Sequence, residues 1–156
     1  MNHNFEIRLR WHNSSSTERE IGGDYSHEAI ITSDKHAALV ASAAGGFGGD
    51  VRLWNPEELL MAALAQCHML SFLYAAHEAG IEIVDYVDET TGTMSYQGGS
   101  GAMTSVTLRP TIETTASAGD VDRLHEEAEA MCVLRASVNF PVNVESVTTF
   151  PGANLN

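Results

Sequence analysis

The segment that most restricts the fold is NPEELLMAALAQCHMLSFLYAAHEAG, Asn55 to Gly80. Its start is punctuated for a helix. Asn55 can cap the N-terminus, Pro56 suits the first helical position, and Glu58 completes a capping box. Glu57 and Glu58 sit at the positive end of the helix dipole, and Gly80 suits the residue just past the C-terminus. The result is a helix of about 24 residues, on the order of 36 Å long. Beyond the first turn only Gln66, His68, Ser71, His77 and Glu78 interrupt an apolar surface. A helix this apolar is expected to be buried on several sides. One domain has limited sheet to offer, so a second copy of the chain is a natural cover.

The rest of the chain alternates strands with a second helix. FEIRLRW (Phe5–Trp11) alternates apolar and polar residues, as a half-buried strand does. A polar loop follows, Asn13–Asp24. Tyr25–Ser33 and His36–Ser42 read as two strands joined by a hairpin turn at Ser33-Asp34-Lys35. AGGFGGD (Ala44–Asp50) lacks the Lys-Ser/Thr ending of a phosphate loop and reads as a flexible connection. After the long helix come Ile81–Tyr96, with strand periodicity in its first half, a turn at Gln97–Gly101, and a strand Met103–Thr115 with an edge or bulge expected at Pro110. A second helix begins near Asp120. Its apolar face is Val121, Leu124, Ala128 and Met131, and Glu126, Glu127 and Glu129 face solvent. A last strand spans Val142–Phe150. Short-range strand pairs with only two helices give an α+β fold, a single domain over 1–156.

The 156 residues carry a net charge of -13, with one lysine and seven arginines. That disfavours nucleic acid and anionic lipid as partners. No run reaches the roughly 18 unbroken apolar residues of a membrane span, and the N-terminus lacks a signal-peptide core. The expectation is therefore a cytoplasmic protein. Cys67 and Cys132 are the two cysteines. In a reducing compartment they are either inert core thiols or a reactive pair. Cys67 lies about twelve residues past the cap, too far for the helix dipole to stabilise a thiolate. His68 points about 100° away from Cys67 and is a poor base for it. Cys67, His68 and Met69 fan around the helix, so no metal site is expected. His77 and His125 read as surface residues.

NPEELLMAALAQCHML resembles the signature of the OsmC/Ohr family, the osmotically inducible and organic hydroperoxide resistance proteins. In that pattern an Asn-Pro-Glu, here Asn55-Pro56-Glu57, precedes a cysteine by ten residues, here Cys67. EAMCVLRASVNFPV, with Cys132, is similar to the region of the family's second cysteine. YVDETTGTM and VTLRPTI resemble linking strands of one subgroup. The likeness runs from about Tyr25 to Val147. It implies an α+β intertwined homodimer, with long central helices wrapped by antiparallel sheet. It also implies thiol-dependent reduction of organic hydroperoxides without metal, haem or flavin. Cys67 would attack the peroxide, Cys132 would resolve the product as a disulfide, and an external dithiol such as a dihydrolipoyl group would reduce it.

Glu57 would take part with a cation, since a carboxylate alone disfavours a nearby thiolate. The arginine of one branch falls at His27 and that of the other at Phe47. Arg52 is the nearest upstream arginine, so His27 and Arg52 are the candidates for orienting substrate. Glu57 and Cys67 are about 15 Å apart along a regular helix. Joining them needs a break in the helix or a partner chain. Two readings compete with the peroxidase: a non-catalytic dimer binding a small apolar or thiol ligand at its interface, and a structural dimer with inert cysteines.

Overall fold

The computed structural model describes residues 2–12 and 25–152. The loop expected over 13–24 lies outside the described residues. The chain forms two compact units, residues 1–59 and 60–156, with one helix beginning in the first and continuing into the second.

The first unit holds an antiparallel sheet of β1 (Arg8–Trp11), β2 (Ala29–Ser33) and β3 (His36–Ala41), in that order. The hairpin turn falls at Asp34-Lys35 as expected, where the Ser33 hydroxyl accepts the Lys35 N–H. β2 is shorter than its sequence pattern, because the Ser26 hydroxyl takes the Glu28 N–H and turns the chain before the ladder begins. β1 is also short, and it is not half-buried: Phe5, Ile7, Leu9 and Trp11 are all exposed. The alternation is present, but the described residues of the first unit do not cover it. The glycine-rich connection contains a short hydrogen-bonded turn over Gly45–Phe47. Phe47 N–H donates to Ala44 O at 2.8 Å and Gly49 N–H to the same oxygen at 3.3 Å. A Cβ on Gly49 would lie 1.7 Å from the Ala43 carbonyl oxygen, so only glycine fits.

α1 spans Pro56–Glu78 without a break. Its capping box forms as read. Glu58 N–H donates to Asn55 Oδ1 at 2.9 Å, and Asn55 N–H donates to Glu58 Oε2 at 3.3 Å. Gly80 follows at φ 67°, the left-handed conformation of a helix stop. Length and apolarity alone would let α1 cross a bilayer. Here one stripe packs into the second unit: Leu64, His68, Phe72, Ala75 and Ala76, spaced at helical intervals. Within one chain the burial is one-sided. Leu70, Leu73 and Tyr74 on the other side stay exposed.

In the second unit β4 (Ile83–Asp88), β5 (Thr91–Gln97), β6 (Ser100–Leu108) and β7 (Pro110–Thr114) make one long, interrupted hairpin. Its tip is Gly98-Gly99, both at positive φ, as a primed turn requires. One antiparallel register runs through both halves: Asp88 faces Pro110 and Thr91 faces Thr107. The single strand expected over Met103–Thr115 is thus cut at Arg109. The cut separates a sheet β4-β7-β9 from a sheet β5-β6-β8. Proline at the head of β7 has no N–H to give the ladder. Asp88 Oδ1 takes the Arg109 N–H at 2.8 Å instead. The closing strand is cut likewise, into β8 (Val142–Val144) and β9 (Val147–Thr149), parallel to β6 and β7. Arg109 ties the gap, with Nε 2.9 Å from Glu145 Oε2.

Val106, Leu108, Pro110, Ile112 and Thr114 are buried in strict alternation, so one face persists across the break. Val106 and Leu108 pack with Leu64 and Val142; Ile112 packs with Phe72, Ala75 and Ala76. α2 (Ala118–Met131) closes the second cluster with Val121, Leu124 and Ala128. The Ser117 hydroxyl caps it by accepting the Asp120 N–H at 3.1 Å.

Candidate functional site

The two cysteines, 65 positions apart in sequence, lie close enough in the second unit for their side chains to interact. Cys67 is half-buried at the middle of α1. Cys132 is the residue that ends α2 and is 3% exposed. Both are free thiols within interaction range of each other. Burial pushes the Cys132 thiol up, the Arg135 backbone amide opposes that rise, and the adjacent Cys67 thiol adds to it.

Cys67 opens onto a shallow groove of about 290 Å³, lined also by Leu70, Ser71, Tyr74, Met131 and Val133. Leu70, Ser71 and Tyr74 follow Cys67 at i+3, i+4 and i+7, so helix geometry alone places them on its side of α1. Ser71 is anchored by donating its hydroxyl to Cys67 O at 3.0 Å. Met131, expected on the buried face of α2, is instead exposed at the groove. The wall is overwhelmingly apolar and suits a hydrocarbon-bearing molecule more than a charged one.

Directly beneath Cys67 in sequence, His68 points the other way. It is 2% exposed, and its Nε2 lies 2.9 Å from Nδ1 of His125, itself 5% exposed. The rings lie nearly parallel, and Phe72 packs against His125. Burial holds both imidazoles down at about 4, with Asp88 pulling His68 up and Arg135 pushing it down. Both are therefore neutral near pH 7. The expectation of a surface His125 is corrected. Its signal was present: Val121, Leu124, His125 and Ala128 share one helical stripe. Around this pair His125 Nε2, Tyr86 Oη and Asp88 Oδ2 are buried without hydrogen-bond partners among the described residues.

The remaining sequence candidates lie in the first unit. Glu57 is half-buried, with Oε2 shielded and without a hydrogen-bond partner among the described residues. α1 is unbroken between it and Cys67, so the break that would join them within one helix does not occur. Arg52 is held by Asp50, with Nη2 2.6 Å from Oδ2 and Nε 3.0 Å from Oδ1. Those bonds lower the Asp50 carboxyl to about 2. The His27 ring rests on Tyr25 at 4.8 Å between centroids. Arg135, a cation the sequence reading passed over, follows Cys132 by three residues. It is committed to Glu129 at 3.0 Å and to the Val142 carbonyl. Among the described residues no group of three His, Cys, Asp or Glu side chains could hold a metal ion.

A family model, OsmC-like protein, matches residues 38–147, a span that includes both thiols and the long helix. The chain belongs to the OsmC-like family. An OsmC-like protein of unknown function from Vibrio cholerae is similar over 94% of this chain and 100% of its own, at 24% identity and a TM-score of 0.81. An organic hydroperoxide resistance protein from Elizabethkingia anophelis is 16% identical over 96% of this chain and 99% of its own, with a TM-score of 0.68. That of Bacillus subtilis is 21% identical over 92% and 96%, with a TM-score of 0.63. No curated protein matches in sequence. The mixed helix-and-sheet fold expected for OsmC/Ohr proteins is thus the fold observed.

Proposed function

We propose that this chain is a thiol-dependent peroxidase acting on organic hydroperoxides. One observation carries the reading: two free thiols sit together, and only Cys67 opens onto an apolar groove. The more accessible Cys67 attacks the peroxide oxygen distal to the alkyl group. An S–O bond forms, the O–O bond breaks, and the departing alkoxide takes a proton to become the alcohol. Cys67 is left as a sulfenic acid. Cys132, deprotonated, attacks that sulfur; the S–S bond forms and hydroxide leaves as water. An external dithiol, of the dihydrolipoyl class, then regenerates both thiols by exchange. No metal or organic cofactor takes part.

The exposed apolar side of α1 supports a homodimer of single OsmC-like domains. On this reading it works in the cytoplasm on small molecules; the net charge of -13 argues against nucleic acid and anionic lipid as partners. A second copy would also bring in a Glu57 that the unbroken helix keeps from its own Cys67. His27 or Arg52, released from Asp50, is the proposed source of positive charge.

The test is a count of free thiols before and after one equivalent of cumene hydroperoxide, on the wild type, Cys67→Ser and Cys132→Ser. Rapid loss of both thiols is expected in the wild type, with Cys132 untouched when Cys67 is absent. Survival of both wild-type thiols would remove the reaction and favour the ligand-binding alternative, for which the same groove is suited.

A further inference from the structure

We propose that the His68–His125 pair is a positioning device that holds Cys132 against Cys67; its use in disulfide formation rests on the two-cysteine reading above. α1 carries Cys67 and α2 ends at Cys132. The other contacts between these helices are apolar, Phe72, Ala75 and Ala76 against Val121, Leu124 and Ala128. Such contacts are non-directional and tolerate small shifts of one helix along another. The pair is different. Among the described residues, His68 Nε2 and His125 Nδ1, 2.9 Å apart, form a buried side-chain hydrogen bond that joins α1 to α2.

Its placement is informative. His68 is the next residue after Cys67, so any shift of the ring's backbone is a shift of the attacking sulfur. His125 lies seven residues, about two turns, before Cys132 on the same side of α2. A packing role would be met by two leucines. Two imidazoles in a buried site carry a desolvation cost that a hydrocarbon pair avoids. What they add is a fixed distance and a fixed ring orientation, since one must donate and the other accept. A disulfide tolerates little error, with Cβ atoms roughly 3.5–4.5 Å apart. Helix register is therefore the quantity that matters.

The experiment is an equilibrium of the intact protein with reduced and oxidised glutathione. Protein dithiol and glutathione disulfide give the protein disulfide and two glutathione thiols, and the midpoint yields the effective concentration of Cys132 at Cys67. His125→Phe keeps the aromatic packing and removes the bond. His125→Asn places an amide near the lost Nδ1. The expectation is a fall of about tenfold in effective concentration for His125→Phe, the size of one lost buried hydrogen bond, and recovery to within about twofold for His125→Asn.

An unchanged value in His125→Phe overturns the proposal, as does an equal fall in both variants, which would assign the rings to packing alone. His68→Leu against His68→Gln, whose amide reaches the Nε2 position, repeats the comparison from the other helix if His125→Phe does not fold. Peroxide plays no part in this equilibrium. Failure of Cys67 to react with cumene hydroperoxide would therefore count against the peroxidase and leave the positioning result readable.

Discussion

α1 and α2 both open on a side-chain N-cap, Asn55 and Ser117, yet they present opposite surfaces. α2 is amphipathic: Val121, Leu124, His125 and Ala128 are buried, and Asp122, Arg123, Glu126 and Glu127 face water. α1 buries a similar stripe, yet its remaining surface is also apolar, with Leu70 55% and Tyr74 58% exposed. α2 is finished by its own chain. α1 carries more apolar surface than the described residues of the second unit cover, and the groove beside Cys67 lies in that surplus. The difference separates a helix that only closes a core from one that offers a second face.

The largest effect should come from charging that second face. If the proposed homodimer forms through this face, Leu73→Asp is expected to weaken it by roughly a hundredfold, since a carboxylate buried without a partner costs several kcal/mol. Glu126→Gln on the outer side of α2 should leave association unchanged. Light scattering across a dilution series separates the two. A Leu73→Asp protein that stays dimeric at wild-type concentrations would place the interface elsewhere.

Acid should act where the helices meet. The imidazoles of His68 and His125 titrate near 6.5 in an unfolded chain and are held at about 4 by burial in the folded one. Between those values the unfolded chain binds more protons. The pair's stabilisation is thus complete above pH 6.5 and is lost as pH falls toward 4. Solvent screening and coupling between the rings reduce the loss to on the order of 3 kcal/mol. Urea melts at pH 7, 6 and 5 would show the decline above the range where most carboxylates titrate. His68→Gln/His125→Asn should flatten it; an equally steep decline in that variant would assign the protons to other groups.

The smallest effect tests what the helices share. Asn55→Ala and Ser117→Ala each remove a side-chain cap. Each should cost about 1 kcal/mol, a fall of roughly 2–4 °C in Tm by calorimetry. A markedly larger loss for Asn55→Ala would mean that the start of α1 supports more than its own first turn.

Local chemistry wrote several features plainly into the sequence. The start and stop of α1 were legible because Asn55, Glu58 and Gly80 act within a few residues of themselves. The turn at Asp34-Lys35 and the Gly98-Gly99 tip were legible for the same reason. The family was legible because Asn55-Pro56-Glu57 and Cys67 keep a fixed spacing. Tertiary structure decided the rest. The pattern over Met103–Thr115 stays strand-like through Arg109, and only pairing with Asp88 and Glu145 shows that it is cut there. His125 looked like a surface residue beside three glutamates until His68 gave it a partner. Arg52 read as a candidate for the site, and Asp50 engages it two residues away. Cys67 and Cys132 are brought together by two helices packing on one sheet. Side chains that act on their neighbours in the chain leave a pattern in sequence; those that act across a core leave only their own identity, and the fold supplies the partner.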